Sequence, residues 1–244
     1  MTSSLANTLV YSTLAGLGSM IGAALVLKGE GWLRQFLPLV ISFAAGTLLG
    51  VAFFDLLPEA QEMTTRNIFP WVLGSFIAFY FLENLLHYHS HHHVGHHHPM
   101  GLVAFLGMTF HSLIDGIIIG VGFEVSPALG FVTTMGLLAH ELPQGIAVTS
   151  ILLHAGYSKS RAIAYAGLVA LATPVGAVGT SLVTRGLQPE SVGILLAIAS
   201  GSFLYVAASD LIPESHAAKH ALTGVLLLMG VAFVYGIVQL FHAH

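Results

Sequence analysis

The chain has 244 residues, 55% of them hydrophobic and 7% charged, with a mean hydropathy of +0.85. A soluble domain carries roughly 25% charged residues, so this composition excludes one and points to an all-α integral membrane protein, because lipid offers unpaired backbone groups no water. The net charge of −4 gives no basis for nucleic-acid binding, and the lack of cysteine excludes disulfides and thiolate metal sites.

A membrane span needs about 20 mostly apolar residues. Eight such stretches succeed one another at roughly 5–27, 35–57, 68–88, 100–122, 127–153, 161–184, 190–212 and 220–241, so residues 1–244 read as a single transmembrane domain. The first lacks a basic leader segment and reads as a retained helix. Trp32 and Trp71 lie near span starts and read as interface anchors. With the N-terminus outside, the odd-numbered connections hold five Lys or Arg (Lys28, Arg34, Lys159, Arg161 and Lys219) and the even ones two (Arg66 and Arg185). That bias predicts a multi-pass protein of the cell membrane with both termini outside.

Span two reads G-T-L-L-G-V-A-F-F-D-L-L-P-E from Gly46 to Glu59, and span seven reads G-S-F-L-Y-V-A-A-S-D-L-I-P-E from Gly201 to Glu214. Gly, Val, Ala, Asp, Leu, Pro and Glu recur at an offset of 155. Five spans separate the copies, so the two cross in opposite senses. This predicts a 3+2+3 arrangement in which spans 1–3 and 6–8 are inverted repeats, a pattern that places binding sites at the repeat interface. It puts Asp55 and Glu59 at the outer mouth of a path and Asp210 and Glu214 at the cytoplasmic mouth, where carboxylates attract cations.

After span three, His87, His89, His91, His92, His93, His96, His97 and His98 lie within twelve residues. The tract, 87–99, reads as a cytoplasmic loop that binds metal weakly and flexibly, as a buffer or sensor. Glu83 before it reads as a helix-terminal hydrogen-bonding group. His154, His216 and His220 fall near cytoplasmic span ends and would relay metal into the cell; His242 and His244 carry no signal.

Spans four and five carry the chemistry. They read H-S-L-I-D-G at 111–116 and H-E-L-P-Q-G at 140–145, register-matched at an offset of 29. Residues four apart share a helix face, so His111 pairs with Asp115 and His140 with Gln144, with Ser112 and Glu141 adjacent. Imidazole and carboxylate are ligands for zinc and related divalent ions. Ionisable groups within apolar spans are costly and mark a functional site. Pro143 removes a backbone donor and is expected to kink span five.

These two hexamers, the eight spans and the His-rich stretch resemble the ZIP (Zrt/Irt-like) family of divalent metal transporters. The resemblance covers the whole chain. It implies import of zinc, or of iron, manganese or cadmium, into the cytoplasm. It also implies alternating access of the elevator type, in which spans one, four, five and six move against two, three, seven and eight. By position it implies a first metal location at His111, Glu141 and Gln144 and a second at Ser112, Asp115 and His140, with Glu141 able to bridge. Three positions depart from the family pattern: Ser112 where Asn is frequent, Gln144 where Glu or His is frequent, and Thr173 where some members carry a bridging Glu. The expectation is therefore one well-held ion at the His111–Glu141 location and a weaker second one. Protons compete with metal for these ligands, so transport is expected to fall at acid pH.

The expected partners are a divalent ion and the lipid bilayer, with a homodimer left open as an assembly state. Two other functions are compatible with the ligands: a membrane-embedded zinc hydrolase, which needs an open coordination position beside fixed ligands, and a metal sensor that does not transport. The paired ligands and the acidic mouths favour passage over hydrolysis, and the repeat favours it over sensing.

Overall fold

The computed structural model describes residues 2–28, 30–91, 97–183, 188–217 and 222–242. Every regular element among them is helical. Eight rods succeed one another along the chain: α1 (Thr2–Lys28), α2 (Glu30–Val51, continuing through Ala52–Leu56 into Leu57–Met63), α3 (Phe69–His91), α4 (His97–Val125), α5 (Pro127–His154), α6 (Lys159–Val183), α7 (Pro189–Tyr205, continuing through Val206–Leu211 into Ile212–Ala217) and α8 (Thr223–His242). Seven of them contain, among the described residues, a stretch long and apolar enough to cross a membrane; α3 contributes a shorter one, Phe69–Leu82. Large apolar side chains such as Leu17, Leu73, Leu171 and Leu228 are exposed on their outer faces, as expected where lipid is the solvent.

The helices pack as two groups of four. In one, α1 and α4 each pack against α5 and α6; in the other, α2 packs against α7 and α8, and α3 against α7. Contact between the groups runs chiefly through α2 and α5. There Thr47, Val51 and Asp55, successive turns of α2, meet Gly136 and Thr133 of α5.

One local feature differs from the sequence-based expectation. Helix α3 continues to His91 and α4 starts at His97, so most of the 87–99 backbone is helical rather than looped. Neither Gly nor Pro interrupts the chain from Leu85 to His91, and Pro99 falls in the first turn of α4, where its missing N–H is tolerated. Residues His92, His93 and His96, and the side chains of His87, His89, His91, His97 and His98, lie outside the described residues. So do the side chains of Glu83 and His216, and all of His220. Helix α5 carries Pro143 inside a single helix from Pro127 to His154.

The offset of 155 recurs in the contacts. A Cβ added at Gly46 of α2 would collide with the Leu227 carbonyl of α8, and one at Gly201 of α7 with the Val72 carbonyl of α3. Thr47 bonds the Ala44 carbonyl at 2.7 Å, and Ser202 bonds that of Ala199 at 2.7 Å. The α-helical ladder widens to a π-turn in both helices, with the Leu57 N–H donating to Ala52 O and the Ile212 N–H to Ala207 O. Pro58 and Pro213 stand one residue beyond these donors and cannot continue the ladder. The π-turn absorbs that break and carries Asp55 and Asp210 within it.

Candidate metal site between helices α4 and α5

Helices α4 and α5 are joined at Ser126, whose side chain accepts from the Leu129 N–H at 3.0 Å and caps α5, with Pro127 in its first turn. The turn sets the relative depth of residues on the two helices. His111 lies fifteen residues before Ser126 and His140 fourteen after it. At about 1.5 Å per residue both imidazoles sit roughly 21–22 Å from the turn, level with each other.

They meet there. The Asp115 carboxylate Oδ2 lies 3.5 Å from His111 Nε2 and 3.4 Å from His140 Nε2. The imidazole rings stand 5.6 Å apart at 82°. One ligand atom from each of His111, Asp115 and His140 falls within 4.8 Å of the other two, the geometry of a three-ligand cation site. His140 and Asp115 are buried, while 21% of the His111 side chain is accessible, which makes His111 the approach to the cluster. Beyond these long approaches, neither nitrogen of His140 nor Asp115 Oδ2 has a hydrogen-bond partner among the described residues. Buried polar atoms without partners are costly; a cation shared among them would remove that cost.

The remaining residues expected at the site are arranged differently from the two expected triplets. Gln144 donates to Ser112 Oγ at 2.6 Å and leaves its own Oε1 unbonded. Glu141, fully buried, turns to two residues on other helices: Thr173 of α6 donates to its Oε1 at 3.2 Å, and Ser19 of α1 bonds its Oε2 and reaches its carbonyl at 3.0 Å. The three-ligand cluster thus takes His111 from the first expected location and Asp115 and His140 from the second. Ser19 was not anticipated, although G-S-M-I-G at 18–22 and A-T-P-V-G at 172–176 align it with Thr173.

Charge balance sharpens the picture. In α1, α4, α5 and α6, Lys and Arg occur only at Lys28, Lys159 and Arg161, at helix ends. No fixed cation of these helices neutralises Asp115 or Glu141 at their depth.

Of the carboxylates expected at the mouths, Asp55 is buried and accepts from Thr133 at 3.4 Å, also an unanticipated partner. Glu59 and Asp210 are half-buried and Glu214 is exposed. His154 is exposed at the end of α5.

The sequence matches the model of the family described as "ZIP Zinc transporter" over residues 2–102 and 89–238. It is 30% identical over 212 residues to zinc transporter ZIP13 of Pongo abelii, covering 80% of this chain and 62% of that protein. It is 28% identical over 250 residues to zinc transporter ZupT of Chlorobium luteolum, covering 91% of this chain and 94% of that one. The match to zinc transporter ZIP4 of Mus musculus, 37% over 118 residues, spans 44% of this chain and 16% of its partner. The chain therefore covers most of the bacterial relative but less than two thirds of the Pongo abelii one. With nearly its whole length matched and the paired hexamers at the meeting of α4 and α5, the chain belongs to the ZIP zinc transporter family.

Proposed function

We propose that this protein carries divalent metal, zinc first, across the cell membrane into the cytoplasm. The observation that carries the reading is the buried His111–Asp115–His140 cluster, three convergent ligands with no Lys or Arg of α1, α4, α5 or α6 at their depth. Two imidazoles and one carboxylate suit zinc and do not bar iron, manganese or cadmium. Ser112, Gln144 and Glu141 complete the surroundings as neutral or reserve ligands. A transport site must let its ion go, and a three-ligand set holds it less firmly than a closed four-ligand structural site.

The repeat sets the path. The contacts shared at an offset of 155 support reading α1–α3 and α6–α8 as inverted repeats, with the metal site near the bilayer midplane. Asp55 and Glu59 then serve the outer mouth, Asp210 and Glu214 the inner one. Asp55 is buried against Thr133 whereas its counterpart Asp210 is half-buried, as in a state closed outside and open inside. The group of α1, α4, α5 and α6 would move as a unit against the other four helices along the α2–α5 seam, where small residues allow close sliding contact. Passage rather than hydrolysis or sensing is the reading that uses both mouths.

Zinc uptake into proteoliposomes tests it. Wild-type protein is expected to fill the vesicles, and His140→Ala or Asp115→Ala to reduce uptake to background. Uptake unaffected by both substitutions would refute the assignment of the site.

A further inference from the structure

Among the described residues, Glu141 is an acidic side chain beside the cluster that does not join it, and the reason is visible. Both of its carboxylate oxygens are occupied, Oε1 by Thr173 and Oε2 by Ser19. These hydroxyls come from α6 and α1, and the two helices take equivalent places, α6 against α4 and α1 against α5. A Cβ at Gly22 of α1 would collide with the Leu142 carbonyl, and one at Gly176 of α6 with the Leu113 carbonyl. A Cβ at Gly145 would collide with the Ser19 carbonyl, and one at Gly116 with that of Thr173. Ser19 and Thr173 share an offset of 154 with Gly22 and Gly176, and Leu113 and Gly116 share the offset of 29 with Leu142 and Gly145. The close backbone approaches therefore lock both hydroxyls in place around the same carboxylate.

We propose that Ser19 and Thr173 are positioning residues that restrain Glu141, keeping its carboxylate out of the ligand set so that the ion is held by His111, Asp115 and His140 and can leave. This rests on the reading of that cluster as the transport site. A buried carboxylate deprived of its donors is strongly driven to find another partner. Glu141 comes directly after His140 in the chain, and an ion on His140 would be the strongest partner nearby. Removing the restraint converts Glu141 into a fourth ligand, and the site becomes a trap.

The sign of the effect distinguishes a restraint from an ordinary supporting contact. Losing a group that orients a ligand weakens metal binding, typically by about 10–100-fold; losing a restraint tightens it. The test is equilibrium zinc binding and zinc release by the purified full chain in detergent, comparing wild type with Ser19→Ala/Thr173→Val. The expected result is affinity about tenfold tighter and release correspondingly slower, with the gain abolished when Glu141→Gln is added and absent in Thr173→Ser, which keeps the hydroxyl. Where the double variant fails to fold, Thr173→Val alone must show tightening. Unchanged or weaker binding in the folded variant, or a gain that survives Glu141→Gln, overturns the proposal. If His140→Ala leaves wild-type zinc binding intact, the site assignment and the restraint fall together; if binding depends on His140 but does not tighten, the restraint alone fails.

Discussion

Ser19 and Thr173, 154 residues apart in the chain, hold the two oxygens of a single carboxylate, that of Glu141. The acid belongs to α5 and its donors to α1 and α6, so one side chain ties three helices together beside the His111–Asp115–His140 cluster. That tie is possible only because the backbones come close, and the first prediction tests the closeness.

Gly145 and Gly116 sit where any Cβ would strike a carbonyl of the neighbouring helix, Ser19 in one case and Thr173 in the other. Backbone cannot step aside as a flexible side chain can. Gly145→Ala or Gly116→Ala is expected to cost about 1–3 kcal/mol through overpacking and to lower both the melting temperature in detergent and zinc uptake. Gly179, also in a helical segment, has open space around it. Gly179→Ala is expected to leave the melting temperature unchanged or raise it slightly, by up to about 1 kcal/mol of helix propensity. A melting temperature that fell equally for all three would show that the approach of the helices is not what these glycines serve.

The second prediction concerns protons. His111 and His140 can coordinate an ion only as free imidazoles, so metal binding at this cluster displaces any protons they carry. Zinc affinity is expected to fall as pH drops below the ordinary imidazole range of about 6.5, and binding in weakly buffered acid solution is expected to release protons. Titration calorimetry in two buffers of different ionisation enthalpy reads both effects. Affinity that held constant from neutral pH to well below that range would remove the two histidines from the ligand set.

Much of the site was legible in the sequence because the informative residues are exceptions to their surroundings. His111, Asp115 and His140 stand out of apolar helices at four-residue spacing, and a turn placed at Ser126 brings them level with no further information. The offset of 155 between spans two and seven was equally plain, and it reappears as matched contacts. Ser19 and Thr133 were not legible in the same way: a single hydroxyl in an apolar helix usually bonds its own backbone one turn back, as Thr134 and Ser200 do here. Nothing in the periodicity separates such a residue from one that reaches across to Glu141 or Asp55. The π-turns at Asp55 and Asp210 leave the hydrophobic pattern almost untouched, and only Pro58 and Pro213 hint at them. The helical backbone at either side of the histidine tract was missed for a related reason, since a run of histidines looks like a loop by polarity while doing nothing to end a helix.

The third prediction addresses the seam between the two groups of helices. Asp55 is buried at the outer mouth of the proposed path, with Thr133 of α5 donating to it at 3.4 Å. Thr133→Val keeps the shape of the side chain and removes the donor, leaving a buried carboxylate less well satisfied at a cost of about 1–3 kcal/mol. Because the bond joins α2 to α5, it exists only while those helices stand in this register, and its loss is expected to destabilise this state relative to one in which Asp55 meets water. The chain has no cysteine, so a single cysteine at Thr47 can report the change by its rate of alkylation in membranes. Thr47 is buried in this seam, where it reaches the Gly136 carbonyl. Thr133→Val is expected to raise the alkylation rate of Thr47→Cys severalfold, and Thr133→Ser, which restores a hydroxyl, to return it to the starting rate. If alkylation responded to neither substitution, the Asp55–Thr133 bond would have no part in holding the outer mouth closed.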